Sequence, residues 1–380
     1  IYKQLYLKPS SVQLDVIDVS GRREQKRSSV EISKVTVTPK QIKSLPSAGG
    51  APDIAQYLTV LPGIVSTGDQ GGQLYIRGGS PVQNKILLDG MTIYSPFHSL
   101  GFFSVFETEI IQSVEVLSGG FNAEYGGRIS AIVDLKTRAG NKKRFGGLLG
   151  INPFQANVIF EGPISKLKPG KGSTSFILTG KQSFIDQTAE QLYSNIPDST
   201  GLPFEFQDFY GKISSFGANG SSFNAFGFKF RDGVAFQNVA DYNWDSFGGG
   251  ANFTLIPSNS GMIINGNINY SKYDTEIQEG DDNPRRSDIQ GFNAGLNFSF
   301  FENNSEVKYG FEIHGFRTNF EFVNFVGNTI EQFNNSTEIS GYGKYKTKFG
   351  KLIFEPSLRL QYYATLRDWS LEPRLGLKYN

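Results

Sequence analysis

Residues 145–380 repeat one pattern, the alternation of apolar and polar side chains at every second position. In GFNAGLNFSF at 291–300, Phe292, Leu296 and Phe300 fall on one face, while Asn293 and Asn297 fall on the other. A period of two is typical of a β-strand, whose successive side chains point to opposite faces. The predicted strands lie near 143–151, 155–162, 173–184, 205–215, 222–231, 243–256, 261–273, 287–300, 306–319, 337–348, 351–363 and 370–380.

A soluble β-sandwich would show the same alternation of apolar and polar residues. The lengths of the connections between strands distinguish it from a membrane barrel. Long polar segments such as DQTAEQLYSNIPDSTGLPF and DTEIQEGDDNPRRSD alternate with turns as short as PSNS and ENNS. Long loops at one end and short turns at the other are typical of outer-membrane barrels. We therefore expect a barrel whose oily faces meet lipid. In the strand near 222–231 we expect that face to carry Phe226, Phe228 and Phe230, opposite Lys229 and Arg231.

Composition agrees with a lipid-facing sheet and argues against several classes of function. Aromatic residues make up 14% of the chain and charged residues only 19%, with 44 glycines. The absence of Cys excludes disulfides, thiolate metal sites and Cys nucleophiles. His98 and His314 lie too far apart in sequence to suggest a local metal site. The sequence contains no run of eighteen apolar residues, so it predicts no helical membrane span. No set of nucleophile, base and acid indicates an enzyme, and we expect no cofactor or metal.

Residues 1–144 have a different, mixed texture. PDIAQYLTVLPGI at 52–64 predicts a short helix that begins near Asp53 and ends at Pro62-Gly63. Short strands are expected around 74–77, 85–88, 113–117 and 129–136. The chain therefore divides into a small α+β domain and a strand-rich domain, with a boundary near residue 145.

The segment LYIRGGSPVQNKILLDG at 74–90 can be compared with the sequence patterns of three kinds of binding site, and it matches none of them. It lacks the glycine and lysine spacing of a phosphate-binding loop. Its single Arg-Gly-Gly triplet, in a chain of net charge +1, does not predict nucleic-acid binding. Asp89 stands alone, without the alternating oxygen ligands of a calcium loop. The local pattern indicates two strands and two tight glycine turns.

The motifs in this region resemble a known family. LYIRGGSPVQNKILLDGMTIYSPFHSLGFFS, followed by IIQSVEVLSGGFNAEYGGRISAIVDLKTRAGN, is similar to the plug of TonB-dependent outer-membrane receptors. The similarity is greatest to the Bacteroidetes-type group, in which a carboxypeptidase-regulatory-like domain precedes the plug, and IYKQLYLKP resembles the last strand of that domain. EGPI at 161–164 and LEPRLGLKY at 371–379 extend the resemblance more weakly into the strand-rich part.

This resemblance implies a mainly β fold, a transmembrane antiparallel β-barrel with an α+β plug in its lumen. The expected domains are a linker at 1–40, the plug at 41–144 and the N-terminal part of the barrel at 145–380. The family barrel has about 22 strands, so about ten more strands would be needed to close it. The start at Ile1, without Met or a signal peptide, suggests a processed or incompletely represented product.

The resemblance also assigns roles to individual residues. Arg77 and Arg128 match two plug arginines that pair with barrel carboxylates in the family, and Glu312 and Glu355 are the candidate partners on polar strand faces. Tight turns in the plug are expected at Gly78, Gly79, Asp89, Gly90, Gly126 and Gly127. LDVIDVSG at 14–21 resembles the TonB box, although Ile17 and Asp18 depart from the usual run of valines. The candidate coupling residues are Asp15, Val16, Ile17, Asp18 and Val19.

The function implied by the resemblance is uptake of a nutrient across the outer membrane, with plug displacement powered by TonB. The expected partners are the TonB C-terminal domain, lipid and lipopolysaccharide, with a surface lipoprotein or subunits of an outer-membrane complex as further candidates. The alternative is a receptor-like barrel that serves as a structural or accessory subunit of an assembly or secretion complex. The substrate stays open among siderophores, glycans, peptides and vitamins.

Overall fold

The structure is a computed structural model, and it describes residues 30, 33–45, 52–66, 73–98, 101, 103–185, 187–188, 204–236, 240–258, 260–280, 283–324 and 326–380. The expected TonB-box-like segment, with Asp15, Val16, Ile17, Asp18 and Val19, lies outside these residues. None of the described helices is both long and apolar enough to cross a bilayer.

The first domain is built around a five-stranded sheet with two short helices. Its helices are α1 (Pro39–Ile42) and α2 (Ile54–Thr59). Its strands are β1 (Lys34–Val37), β2 (Ile64–Ser66), β3 (Leu74–Ile76), β4 (Asn84–Leu88), β5 (Met91–Thr92), β6 (Phe97–His98), β7 (Phe103–Ser104), β8 (Ile111–Ser118) and β9 (Ala131–Thr137). The central sheet has the order β1-β8-β9-β4-β5, while β2–β3 and β6–β7 form separate pairs.

Local sequence signals explain the ends of these elements. The Asp53 carboxylate accepts a hydrogen bond from the Gln56 amide at 3.0 Å, which caps the start of α2 as the sequence predicts. Helix α2 ends at Thr59, before the predicted stop at Pro62-Gly63, and Gly63 adopts φ 79° in the turn that leads to β2. Strand β1 lies within the segment expected to be linker and pairs with β8 from Lys34 to Val37. The first domain therefore begins before residue 41.

The second domain is a single sheet of twelve antiparallel strands in sequence order, which confirms the predicted fold class and strand number. The strands are β10 (Gly146–Ile151), β11 (Gln155–Ser165), β12 (Ser173–Ser183), β13 (Phe204–Phe216), β14 (Ser222–Phe236), β15 (Ala240–Leu255), β16 (Met262–Glu279), β17 (Arg285–Glu302), β18 (Ser305–Val323), β19 (Thr329–Phe349), β20 (Leu352–Tyr363) and β21 (Asp368–Tyr379). Strands β10 and β21 are the two edges of this sheet, which we call the wall.

Several wall strands are longer than the sequence indicates, most of them at the same end. The segment DTEIQEGDDNPRRSD was expected to be a loop, but most of it belongs to β16 and β17. Cross-strand ion pairs between Arg286 and Glu276 at 2.8 Å, and between Arg285 and Glu279, support this extension. We call this end of the wall, which also carries the long connection 184–203, the outer end.

The wall keeps mostly apolar side chains outside and mostly polar ones inside, and strand β14 is the largest exception. Val158, Phe160, Leu178 and Ile213 are exposed on the outer face, while inward side chains such as Lys181 are buried. Strand β14 differs, because its three alternating phenylalanines point inward and join the core of the first domain. The buried residues of this exception are Phe226, Phe228 and Phe230. The expectation that these rings meet lipid is therefore wrong, and Lys229 lies on the exposed face instead.

The first domain lies against the concave inner face of the wall. Its apolar core is continuous with inward wall side chains, among them Ile159, Ile177 and Tyr210. Ion pairs and hydrogen bonds surround this apolar contact, as described below. The first domain is therefore a plug held by the wall, as the resemblance implies.

Candidate functional site: the interface between plug and wall

A cavity of about 620 Å³ opens between the plug and the wall towards the outer end. Plug residues Tyr94 and Arg128 line one side, and Trp244, Tyr273 and Phe316 of the wall line the other. The lining therefore combines aromatic rings with charged groups, which is typical of a site for an organic solute. We call this space the outer cavity.

Strands β11 and β12 hold the plug at its C-terminal exit and at β7. Arg138 forms a forked contact with Glu161, with Nη2 3.2 Å from Oε1, and the Asn141 amide donates to Glu161 at 3.0 Å. The Lys181 ammonium donates to the Ser104 carbonyl oxygen at 2.8 Å. A forked contact between guanidinium and carboxylate restrains orientation as well as distance. The plug is therefore fixed in register against these strands.

His98 lies completely buried between the plug and two wall carboxylates. Its Nε2 is 2.7 Å from Asp208, and its Nδ1 is 3.6 Å from Asp232. The ring stacks on Phe206 with centroids 4.5 Å apart. These contacts have ion-pair distances but lack the alignment of hydrogen bonds. Burial opposes protonation, but Asp208 and then Asp232 outweigh it and raise the pKa of His98 to about 9.

We expect the β6–β7 hairpin of the plug to loosen between pH 6.5 and pH 9. The raised pKa means that the His98 contribution is complete below the ordinary value of 6.5 and is lost as pH rises through about 9. Hydrogen exchange of the β6–β7 amides, corrected for base catalysis, should accelerate by at least about tenfold over this range.

Strands β2 and β3 serve as the internal reference for this measurement, because the pair contains no histidine. Their corrected exchange should stay constant from pH 6.5 to pH 9. Equal acceleration in both hairpins would contradict a role for His98.

The turn between β4 and β5 places Asp89 at the wall. Asp89 adopts φ 52°, and its carboxylate accepts hydrogen bonds from the Thr137 amide at 3.0 Å and the Tyr210 hydroxyl at 2.6 Å. The Lys212 ammonium lies 3.3 Å from the same carboxylate. The left-handed backbone that the sequence predicts here therefore presents a buried carboxylate to a buried cation.

The plug loop 121–127 is clamped by β18, β19 and β21. The Glu124 carboxylate pairs with Lys308 and, at 2.8 Å, with Lys344. The Arg374 guanidinium donates to the carbonyl oxygens of Phe121 at 3.0 Å and Tyr125 at 2.9 Å. Burial alone would raise the pKa of Glu124, but Lys308 and Lys344 lower it to about 2. This clamp is complete above about pH 4.5 and is lost only as the pH falls towards 2.

Arg359 of β20 is the largest fully buried side chain and reaches the same loop. Its guanidinium donates to the Ala123 carbonyl oxygen at 3.3 Å, to the Ser340 hydroxyl at 2.7 Å and to the Glu312 carboxylate at 3.0 Å. A Cβ at Gly126 would lie 2.3 Å from the Arg359 Nε. A glycine is therefore required where the guanidinium passes the loop.

Glu312 connects this cluster to the plug strand β4. His314 Nε2 lies 2.7 Å from Glu312 and 3.0 Å from the Lys85 ammonium. A chain of polar contacts therefore runs from Arg359 through Glu312 and His314 to Lys85. It joins the wall to the centre of the plug.

The predicted latch partners are wrong in the part of the chain that the structure describes. Arg77 donates to the Ser118 hydroxyl at 3.0 Å, and Arg128 donates to the Gly127 carbonyl oxygen at 2.7 Å. Between described residues, neither arginine forms an ion pair with Glu312 or Glu355. Glu312 instead contacts Arg359 and His314, because those side chains lie on its own and nearby wall strands.

At the predicted glycine turn positions, glycine is required either by the backbone conformation or by close packing. Gly78, Gly90 and Gly127 have positive φ values of 78°, 91° and 74°. A Cβ at Gly79 would lie 2.3 Å from the Ser130 hydroxyl oxygen. Sequence reasoning missed Arg359 as a plug contact, although a charged residue between Leu358 and Leu360 on an alternating strand was a visible signal.

Comparison with known proteins agrees with this architecture. Residues 26–132 match the family model of the TonB-dependent Receptor Plug Domain. No protein among those with curated descriptions matches the chain. The plug domain and the twelve-stranded wall together have the fold of a TonB-dependent receptor, and this fold is that of outer-membrane proteins, as the sequence indicates.

Three solved structures illustrate the similarity. A mutant of the ferric enterobactin receptor PfeA from Pseudomonas aeruginosa superimposes with TM-score 0.65 at 13% identity, covering 93% of this chain and 60% of that one. The siderophore receptor PirA from Acinetobacter baumannii gives TM-score 0.66 at 16% identity, with coverage of 92% and 59%. The copper transporter OprC gives TM-score 0.64 at 11% identity, with coverage of 90% and 60%. The chain thus spans about three fifths of the length of these structures.

Proposed function

We propose that this chain is part of a TonB-dependent receptor of the bacterial outer membrane that imports a nutrient by energy-coupled displacement of the plug. The observation that carries this proposal is a plug that lies against the wall and is held there by ion pairs and hydrogen bonds around an apolar contact. Water can replace hydrogen bonds and ion pairs when the plug moves, and such contacts contribute modestly to net stability. A structural barrel needs no removable plug.

The outer cavity is the proposed site of first contact with the solute. It lies at the outer end and combines the rings of Trp244 and Tyr273 with the charges of Arg128 and Asp232. The solved relatives include receptors described for ferric enterobactin and a transporter described for copper. For this chain, siderophores, glycans, peptides and vitamins stay candidates. The proposed subtype is the Bacteroidetes-type group, supported by IYKQLYLKP at the start of the chain.

Coupling is proposed to run through Asp15, Val16, Ile17, Asp18 and Val19, added as a strand to a sheet edge of the TonB C-terminal domain. Strand addition draws its affinity from main-chain hydrogen bonds and tolerates varied side chains. Val16→Pro removes a main-chain donor, so we expect it to abolish capture of the TonB C-terminal domain by the purified complete protein.

Val16→Ala is the matched control, because it also removes the valine side chain but keeps the main-chain N–H. We expect it to bind the TonB domain almost as the unsubstituted protein does, and both variants should keep the folded barrel. Equal capture by the Val16→Pro and unsubstituted proteins would contradict coupling through this segment. If the unsubstituted protein did not bind the TonB C-terminal domain, that result would favour the accessory-subunit function.

A further inference from the structure

A second cavity lies between the plug and the same part of the wall, on the inner side of the β4–β5 turn. Its volume is about 600 Å³. Lys85 and Asn293 line both this inner cavity and the outer cavity, so the two spaces adjoin. The wall side of the inner cavity is rich in carboxamides. These are Asn224, Asn252, Asn265, Asn267, Asn293 and Asn297.

The barrier between the two cavities is the Asp89–Gly90 turn and its contacts with three neighbouring strands. Asn252 of β15 donates to the Asp89 carbonyl oxygen at 3.2 Å. Asn269 of β16 and Asn293 of β17 donate to the Gly90 carbonyl oxygen at 3.3 and 3.4 Å. Three uncharged amides from three strands therefore hold two adjacent carbonyl groups, through bonds at the long end of the usual range.

We call the contact of the Asp89–Gly90 turn with β15–β17 the seam. The wall strands on either side of the seam form ion pairs with the plug. In the described part of the chain, the ion pairs between plug and wall lie on β11, β13 and β14 on one side and on β18 and β19 on the other. Hydrogen bonds between neutral groups contribute about 1 kcal/mol each, and bonds to charged groups about twice that. In the described residues, the contact of the plug with β15–β17 thus rests on hydrogen bonds between neutral groups and on close packing, without an ion pair.

The wall backbone also approaches the plug closely at this seam. A Cβ at Gly248 would lie 2.8 Å from the Met91 sulfur, and one at Gly291 would lie 2.6 Å from the Tyr94 hydroxyl oxygen. Glycines there let the seam close without bulky side chains. The buried carboxamide oxygen of Asn269 has no hydrogen-bond partner among the described residues, so an acceptor is left available at the barrier.

We propose that the imported solute passes between the Asp89–Gly90 turn and strands β15–β17, where the outer and inner cavities join. This inference rests on the proposed uptake function and specifies its route. Asparagine offers two donors and one acceptor without charge. The inner cavity therefore suits a solute rich in hydroxyl or amide groups, which can exchange hydrogen bonds with the wall as it moves.

The test is the ionic conductance of the complete purified protein in a planar lipid bilayer, with KCl as the probe. The combined substitution of Asn252→Ala, Asn269→Ala and Asn293→Ala removes the three amides and should raise the conductance severalfold above the unsubstituted protein. The matched control is Asn157→Ala, Ser183→Ala and Ser214→Ala, which removes neutral polar groups from β11–β13. This control should leave the conductance unchanged. Asn269→Ala alone should give a smaller rise, which keeps the test available if the triple variant fails to assemble.

These 380 residues contain no Cys, so a cysteine introduced here can be compared with the same protein without it to locate the route. In the leaking variant, Asn267→Cys should make the current sensitive to a charged methanethiosulfonate, whereas Ser214→Cys should not. Block through Ser214→Cys, or an equal leak in the β11–β13 control, would overturn the proposed route. So would unchanged conductance in both Asn269→Ala and the triple variant. These outcomes do not depend on TonB, so the route can fail while TonB capture succeeds, or the reverse.

Discussion

Substitution of Arg359 by Met is expected to release the plug loop 121–127 from the wall. Arg359 is 2% exposed, and its loss leaves the Glu312 carboxylate and the Ala123 carbonyl oxygen without their guanidinium partner. Removing one member of a buried ion pair typically costs 3–5 kcal/mol, because the other charge stays buried. We expect a loss of about that size in the stability of the docked plug, measured by urea-dependent proteolysis of the loop.

Arg231→Met is the matched control for this experiment. Arg231 also pairs with a carboxylate, Asp245 at 3.1 Å, but their side chains are 55% and 42% exposed. Exposed pairs contribute about 0–1 kcal/mol, so this variant should be cut at nearly the urea concentration of the unsubstituted protein. If the two variants behaved alike, Arg359 would not be a principal plug contact.

The wall could be predicted in detail because its signal is local. An alternating strand identifies itself within about ten residues, and antiparallel neighbours follow one another along the chain. All twelve strands therefore lie where the sequence places them, with ends that differ by up to eight residues. The hairpin of β18 and β19 extends furthest, and that of β16 and β17 is also longer, since its polar residues Glu276 and Arg286 pair across the strands above the apolar band.

Whether the apolar face of a strand points outward to lipid or inward to the plug cannot be predicted from local sequence, as β14 shows. Alternation says that Phe226, Phe228 and Phe230 share a face, but two apolar environments compete for it, the lipid and the core of the plug. The structure gives these rings to the plug core, where they join Tyr210 and Met91. Only the position of the plug, more than a hundred residues earlier in sequence, decides between the two environments.

The same limit explains which parts of the site could be predicted. The turns at Gly78 and Gly90 follow from local backbone chemistry. The partners of a buried charge depend on contacts across the fold: Glu124 meets Lys308 and Lys344, 184 and 220 residues away. The sequence places Glu312 on a polar strand face as a partner for a plug arginine, but the side chains that it contacts are Arg359 and His314 of the wall.

Substitution of Gly140 by Ala is expected to disturb the junction where the plug passes into the wall. Gly140 lies between Arg138 and Asn141, which both bind Glu161. A Cβ at Gly140 would lie 1.9 Å from the Phe176 carbonyl oxygen and 2.5 Å from its carbon, so the backbone of β12 or the junction must shift. Overpacking costs about 1–3 kcal/mol where side chains adjust, and a backbone clash belongs at the upper end of that range.

Gly146→Ala, six residues later in β10, separates this clash from a general intolerance of alanine. Nothing lies within 4 Å of a Cβ at Gly146, and alanine in a strand orders the unfolded chain slightly more than glycine does. We expect Gly146→Ala to fold with unchanged stability, while Gly140→Ala lowers both the amount of folded barrel and its urea midpoint. Because Arg138 and Asn141 depend on the path of this junction, plug proteolysis should increase with Gly140→Ala even in the molecules whose wall is folded. A Gly140→Ala protein as stable as Gly146→Ala would show that the junction does not fix the plug to β11 and β12.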